Sequence, residues 1–273
     1  MYMHKHDERG SPIVRKPKNP RVTSGSELKT AIGVLKQAAY YSGLDDVVFQ
    51  CTPHGFRATM SWMAQATLGS PFMAVECSWT ESIPVDQRIW RFDPSSVKSL
   101  VSFADNDSIE WGLDGDWFCG YGTMKKNPSY AFSTRLWGAR RDDEGFMESV
   151  LVEEHLDWLL GPQVAQGSMW PVKRALSLKR KDERDVNCKI HDGNFFLQIT
   201  DEGRGAAWIK AGTAQEHATA GFYSGLVVAA IGSMPAELLK NGKATFHEHG
   251  IVLDYERQGF HVRILGATRP END

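Results

Sequence analysis

No stretch of this sequence is apolar for the roughly 18 residues that a membrane-crossing helix requires. The longest uncharged apolar candidate, Gly225 to Met234, is too short. Residues 1–21 lack the apolar core of a secretory leader, so the expectation is a cytoplasmic protein, bacterial or from a phage-infected cell, without membrane contact. Cysteine is scarce: Cys51, Cys77, Cys119 and Cys188 are scattered with no CxxC spacing. That excludes a thiolate zinc knuckle or a disulfide framework and predicts reduced, buried thiols. Neither charge sign is in marked excess. Lysine and arginine total 31 against 34 aspartate and glutamate, a net charge of −3, so no global basic surplus announces nucleic acid, although a local basic surface remains open.

Catalytic signatures are also missing. GxxxxGK[ST], GxSxG, HExxH and DxDxDG do not occur, and neither Gly203-Arg204-Gly205 nor Gly242-Lys243 has the context of a phosphate loop. His4 and His6 form an HxH pair with no third ligand nearby. His247-Glu248-His249 would put two imidazoles on one strand face, again without a third ligand. Glu216-His217 beside Asp201-Glu202 is the one conceivable acid–base cluster. These residues leave a hydrolase built near Asp201, His217 and His247 as a distant reading. No catalytic residue, metal ligand or cofactor is assigned.

What the sequence has is β-meanders. Lys243 to Arg269 reads as three short strands in which Ala244, Phe246 and Glu248, then Ile251, Leu253 and Tyr255, then Phe260, Val262 and Ile264 alternate with their neighbours. Gly250 and Gln258-Gly259 supply the turns. Asp107 to Arg140 reads the same way, with strands around Trp111, Trp117 to Tyr121 and Tyr130 to Trp137. Both end alike, Phe132-x-x-Arg135-Leu136-Trp137-Gly138-Ala139 and Phe260-x-x-Arg263-Ile264-Leu265-Gly266-Ala267, so the displacement is 128 residues. A period of that length means two copies of one domain.

The rest of the chain repeats too. Ser26 to Tyr41 predicts a helix capped by Ser24 or Ser26, with Leu28, Ile32, Leu35 and Ala39 on its apolar face. Strands are expected at Val47–Thr52, Phe56–Trp62, Phe72–Trp79 and Ile89–Phe92. A second helix opens near Pro94, with Val97, Leu100, Val101 and Phe103 as its stripe. Trp170 to Arg180 is the matching first helix of the second copy. A hairpin turning at His191-Asp192-Gly193, a strand at Ala206–Lys210, an edge at Ala220–Tyr223 and a helix from Gly225 to Leu239 broken near Pro235 follow. Helix 1, hairpin, helix 2 and meander therefore occur twice in one order, through the pairs Leu28/Val172, Phe49/Cys188, Val97/Leu226 and Phe132/Phe260. The organisation read from this is a flexible basic arm at 1–24, domain 1 at 25–140, an acidic connector at 141–168, domain 2 at 169–269 and a tail at 270–273. The fold class is α+β, a duplicated domain with two helices packed on antiparallel sheets.

Helices, strands and their double occurrence resemble the sliding-clamp family of DNA polymerase processivity factors over residues 25 to 269. Ser26-Glu27-Leu28-Lys29 is similar to the opening helix of a clamp domain. Asp185 to Asp201, with its Thr200-Asp201 end, is similar to a hairpin of bacterial clamps. Phe260 to Arg263 is similar to a domain's last hairpin. The resemblance implies a ring of six such domains around duplex DNA, hence a homotrimer for a two-domain chain. It also implies helices lining the hole, and docking of short peptides from a polymerase or clamp loader into a pocket that cannot be assigned to residues. DNA-lining helices should carry cations opposite their apolar stripes. The candidates are Lys29, Lys36, Lys98, Lys173, Arg174, Arg180 and Lys181, with Glu27 opposing. The Gly225–Met234 helix carries no charge and departs from that pattern. The rival is a clamp-like adaptor of a phage or plasmid that never closes a ring and uses this neutral helix as its contact face.

Overall fold

The computed structural model describes residues 15, 17, 20–42, 47–52, 55–61, 71–80, 89–92, 98, 99, 101, 102, 108–124, 127–138, 160–176, 186–201, 205–215, 218 and 221–268. The sliding-clamp reading of the fold holds: antiparallel sheets cover a small set of helices, and each repeat contributes the same pieces.

In the first repeat β1 (Arg21–Ser24) is followed by helix α1 (Gly25–Ser42). Then come β2 (Val47–Thr52), β3 (Gly55–Ser61), β4 (Pro71–Trp79) and β5 (Ile89–Phe92). Lys98, Ser99 and Val101 are helical. The repeat closes with β6 (Ser108–Asp114), β7 (Trp117–Met124), β8 (Asn127–Arg135) and β9 (Trp137–Gly138). The second repeat is β10 (Gln163–Gly167), α2 (Trp170–Leu176), β11 (Val186–His191), β12 (Asn194–Asp201), β13 (Gly205–Ala214) and β14 (Phe222–Tyr223). Helices α3 (Gly225–Gly232) and α4 (Ala236–Asn241) and strands β15 (Lys243–His247), β16 (Gly250–Arg257) and β17 (Phe260–Thr268) complete it.

Strand pairing makes the duplication explicit. One half of each repeat runs β1-β6-β7-β8 and β10-β15-β16-β17; the other runs β5-β2-β3-β4 and β14-β11-β12-β13. The first strand of each repeat was missed by sequence. Arg21–Ser24 belongs to the sheet, not to the arm, because Val22 and Thr23 pair with Glu110 and Ile109. Gln163–Gly167 belongs to the second repeat, not to the connector, because it pairs with both β13 and β15. The arm is also anchored further back. Arg15 meets the Asp114 carboxylate at 3.2 Å and lies 4.6 Å from the Trp117 ring.

Helix α1 starts where expected for a physical reason. The Ser24 hydroxyl accepts the Glu27 amide at 3.2 Å, which satisfies one of the orphan donors of the first turn. Its apolar stripe is wider than the sequence reading: Leu28, Ala31, Ile32, Val34, Leu35 and Ala38 are all fully or almost fully buried. The second-repeat hairpin turns on Asp192 (φ 49°) and Gly193 (φ 67°), a two-residue turn whose backbone twist matches the strands. The last hairpin turns likewise on Gln258 and Gly259. The preceding turn sits at Glu248-His249 rather than at Gly250, which opens β16 and is buried.

The repeats are joined by a ladder. β17 pairs with β4 along the whole strand, Phe260 opposite Trp79 through Thr268 opposite Pro71, so one sheet of 13 strands runs across both repeats. Beneath the ladder the Trp79 ring lies 4.9 Å from Phe260 and 5.2 Å from Trp111. The polar tips of both indoles are satisfied: Trp79 Nε1 donates to Glu27 and Trp111 Nε1 to Thr23. This cluster ties β1, α1, β4, β6 and β17 together.

Candidate nucleic-acid interface

Helix α3 explains how the helices are arranged. It is uncharged because it is interior: Val227, Val228, Ala230 and Ile231 are buried, and the helix packs between α1 and α2 over β17 and β4. The stretch 225–234 is therefore no exposed neutral face, and the adaptor reading is left without the surface it needed. Burying such a helix removes apolar area at about 25 cal/mol per Å². A charge on its buried side would have to be desolvated.

Around the end of α3 the polar faces of the flanking helices meet. A groove of about 360 Å³ is lined by Lys29, Thr30, Gly33 and Gln37 of α1, by Lys98, by Lys173 of α2, and by Ser233, Met234 and Pro235 after α3. Three lysines from three segments and both repeats thus share one concavity, and no carboxylate is among its lining residues. Glu27, the acid expected to oppose Lys29, takes the indole N–H of Trp79 at 3.3 Å and does not line the groove. Lys173 donates to the Met234 carbonyl at 3.3 Å, beyond the C-terminal end of α3 where the helix dipole favours a cation. Thr30 donates back to the Ser26 carbonyl and Ser233 to the Ala229 carbonyl, so each hydroxyl has a backbone partner and a remaining lone pair.

Of the seven cations proposed from sequence, Lys29, Lys98 and Lys173 come together here. Lys36 lies two turns along α1 from Lys29 and does not line the groove. Arg174 is exposed on α2, also outside the lining. Arg180 and Lys181 lie outside the described residues. Gln37 and Ser233 were not anticipated. Gln37 follows Lys29 by eight positions, the same helical face, and that spacing was the available signal.

The other candidate clusters resolve into structural roles or fall outside the described residues. His247 sits at the end of β15, where Nδ1 is 3.0 Å from the Gly161 carbonyl oxygen, while Glu248 and His249 occupy the turn. The alternation that would have set both imidazoles on one strand face is therefore broken. Glu216 and His217 lie outside the described residues. The thiols behave as buried apolar groups. Desolvation pushes Cys188 up to about 12 and Cys119 up to about 11, in Cys119 with help from Asp114, and burial raises Cys77 further still.

No family model matches the chain, and no curated protein sequence matches it. Solved structures do. The chain is similar to Proliferating Cellular Nuclear Antigen from Entamoeba histolytica with a TM-score of 0.64 and 13% identity, over 90% of this chain and 96% of that one. It is similar to a chain of the PCNA2-PCNA3 complex from Sulfolobus tokodaii with a TM-score of 0.63 and 12% identity, over 92% of this chain and 100% of that one. At such identities the likeness is one of fold: that of a DNA sliding clamp over most of the chain.

Proposed function

We propose that the protein is a non-enzymatic sliding clamp: copies close a ring around duplex DNA, and the ring tethers a polymerase or another DNA-processing enzyme. The observation that carries this reading is the groove. A fold alone does not give a function. Here, however, lysines from both repeats converge on the helical side of a long sheet, in a chain whose overall charge is negative. Such a surface suits phosphates taken without regard to sequence. Lys36, Arg174, Arg180 and Lys181 are proposed to extend it.

Ring closure draws support from the strand edges. β8 and β17 are counterparts, as are β4 and β13. Within the chain β17 uses its second edge to pair with β4. Among the described residues β8 pairs with β7 alone, and Gly205 to Lys210 of β13 pair with β12 alone. Each of these edges fits the other on the next copy, head to tail, and such an interface repeats until it closes. Three copies would supply six domains.

Retention on nicked circular DNA, with release when the same DNA is linearised, is the expected result. Equal retention on both forms would mean grip, not enclosure. Replacing Lys29, Lys98 and Lys173 together by Ala should flatten the plot of log affinity against log salt by about 0.9 for each phosphate no longer neutralised. An unchanged slope would remove the groove from the interface.

A further inference from the structure

The outer face of the second repeat carries a patch that the ring as described leaves unused. Lys189 on β11, Phe196 on β12 and Trp208 on β13 stand together. The Lys189 ammonium lies 4.0 Å from the Trp208 ring centroid and 5.8 Å from that of Phe196. Cross-strand register sets Lys189 opposite Phe196, and Phe196 opposite Lys210. Their neighbours Cys188, Phe195 and Leu197 are buried, so this set points away from the core. Trp208 remains 41% exposed, and Lys210 is exposed. The nearest carboxylate in the hairpin turn, Asp192, is 3.4 Å from His191. A basic surface with an open indole, at the edge of an acidic protein, calls for an acidic, partly apolar occupant.

The chain contains one. Between Gly138 at the end of β9 and Leu160, the sequence has seven carboxylates, Asp142, Asp143 and Glu144 first, against two arginines, with Phe146, Val150 and Leu151 among them. Its own copy of the segment is badly placed to reach the patch. The segment leads into β10, and β10 runs antiparallel to β13, with Ala165 opposite Ala214 and Gly167 opposite Gly212. Going backward along β10 therefore leads away from Trp208, which already lies six residues, about 20 Å, along β13 from Ala214. A neighbouring copy is well placed. In the β17–β4 ladder the C-terminal end of one strand meets the N-terminal end of the other, Thr268 against Pro71. The same arrangement between copies delivers the end of β9 to Gly205, with the acidic run following at once.

We infer that the acidic segment 142–154 of one copy docks on the Lys189–Phe196–Trp208–Lys210 face of the next, as an electrostatic latch across the subunit boundary. The inference rests on the ring reading. Its test is self-association of the full chain followed by sedimentation over a range of concentrations and salt. The charge-reversed variant Lys189→Glu/Lys210→Glu should associate about tenfold more weakly at low salt and lose most of the salt dependence. Its circular dichroism and thermal midpoint should match the parent, since the positions are on the surface. Adding Asp142→Lys/Asp143→Lys to the same chain should restore association. If the lysine variant associates like the parent, the latch is wrong and the ring stands. If it weakens and the added lysines do not restore it, the occupant is wrong. If the parent itself stays monomeric at every concentration, the ring reading fails, and the latch with it.

Discussion

β4 and β13 occupy the same place in their repeats, yet one is sealed and the other open. β17 covers β4 over nine residue pairs, above the Trp79, Phe260 and Trp111 rings. β13 leaves Ala206, Ala207 and Trp208 exposed along an edge with no strand beside it among the described residues. Natural edge strands are usually short or guarded by charge. β13 is ten residues long, and Lys210 is the single charge on it. The difference teaches that one piece of architecture serves two ends: inside the chain it holds two repeats as one body, and at the chain's flank it is left to meet a partner.

The sharpest way to break that comparison is to truncate one aromatic on each side. Phe260 is 1% exposed, and Phe260→Ala should cost about 3–5 kcal/mol in urea unfolding, because it opens a cavity beneath the ladder. Trp208→Ala should move the same midpoint by less than about 1 kcal/mol, since its ring lies mostly on the surface. Equal losses would mean that β13 is as much a part of the core as β4. A backbone version asks the same question more gently. A methyl group on Gly266 would stand 2.3 Å from the Val227 side chain, so Gly266→Ala should cost about 1–3 kcal/mol as α3 is pushed off the seam. Ala207→Val, on the open strand, should stay within about 0.5 kcal/mol in the same experiment.

These contrasts also show what the sequence could and could not reveal. Helix α1 was legible because its buried residues recur at helical spacing and Ser24 precedes them. Both hairpins with two-residue turns were legible because Asp192-Gly193 and Gln258-Gly259 are strong local signals. β1 and β10 were not legible. Four- and five-residue strands held by distant partners leave almost no periodicity of their own. The extent of β13 was hidden for a related reason: its exposed half has no apolar alternation to read. The groove was half visible. Lys29 and Lys173 were chosen as cations opposite apolar stripes, but only packing around the buried α3 brings them beside Lys98 and Ser233. The absence of charge on α3 was the clue to that packing, and it pointed inward instead of to a partner.

The smallest expected effect concerns pH at the same seam. On the outer side of the ladder Asp254 accepts from Arg263 Nε at 2.9 Å, and His261 Nε2 is 3.3 Å away. Burial alone would raise this carboxyl, but the bonds from His261 and Arg263 outweigh it and hold Asp254 below the usual carboxylate range. A carboxyl depressed in the folded state adds stability above its unfolded pKa, near 3.9, and loses it as pH falls through the folded value. Lowering pH from 6 to 3 should therefore destabilise the parent more than Asp254→Asn, which has nothing to protonate there. The pair is about a third exposed, so the gap should stay under about 1 kcal/mol. The open strand offers acid no comparable handle: β4 carries Glu76, whereas β13 carries Lys210 and no carboxylate. Acid should accordingly loosen the seam through Asp254 while leaving that open strand's own charge unaltered. Parallel pH slopes for parent and variant would show that the ladder is held by its backbone and aromatic contacts alone.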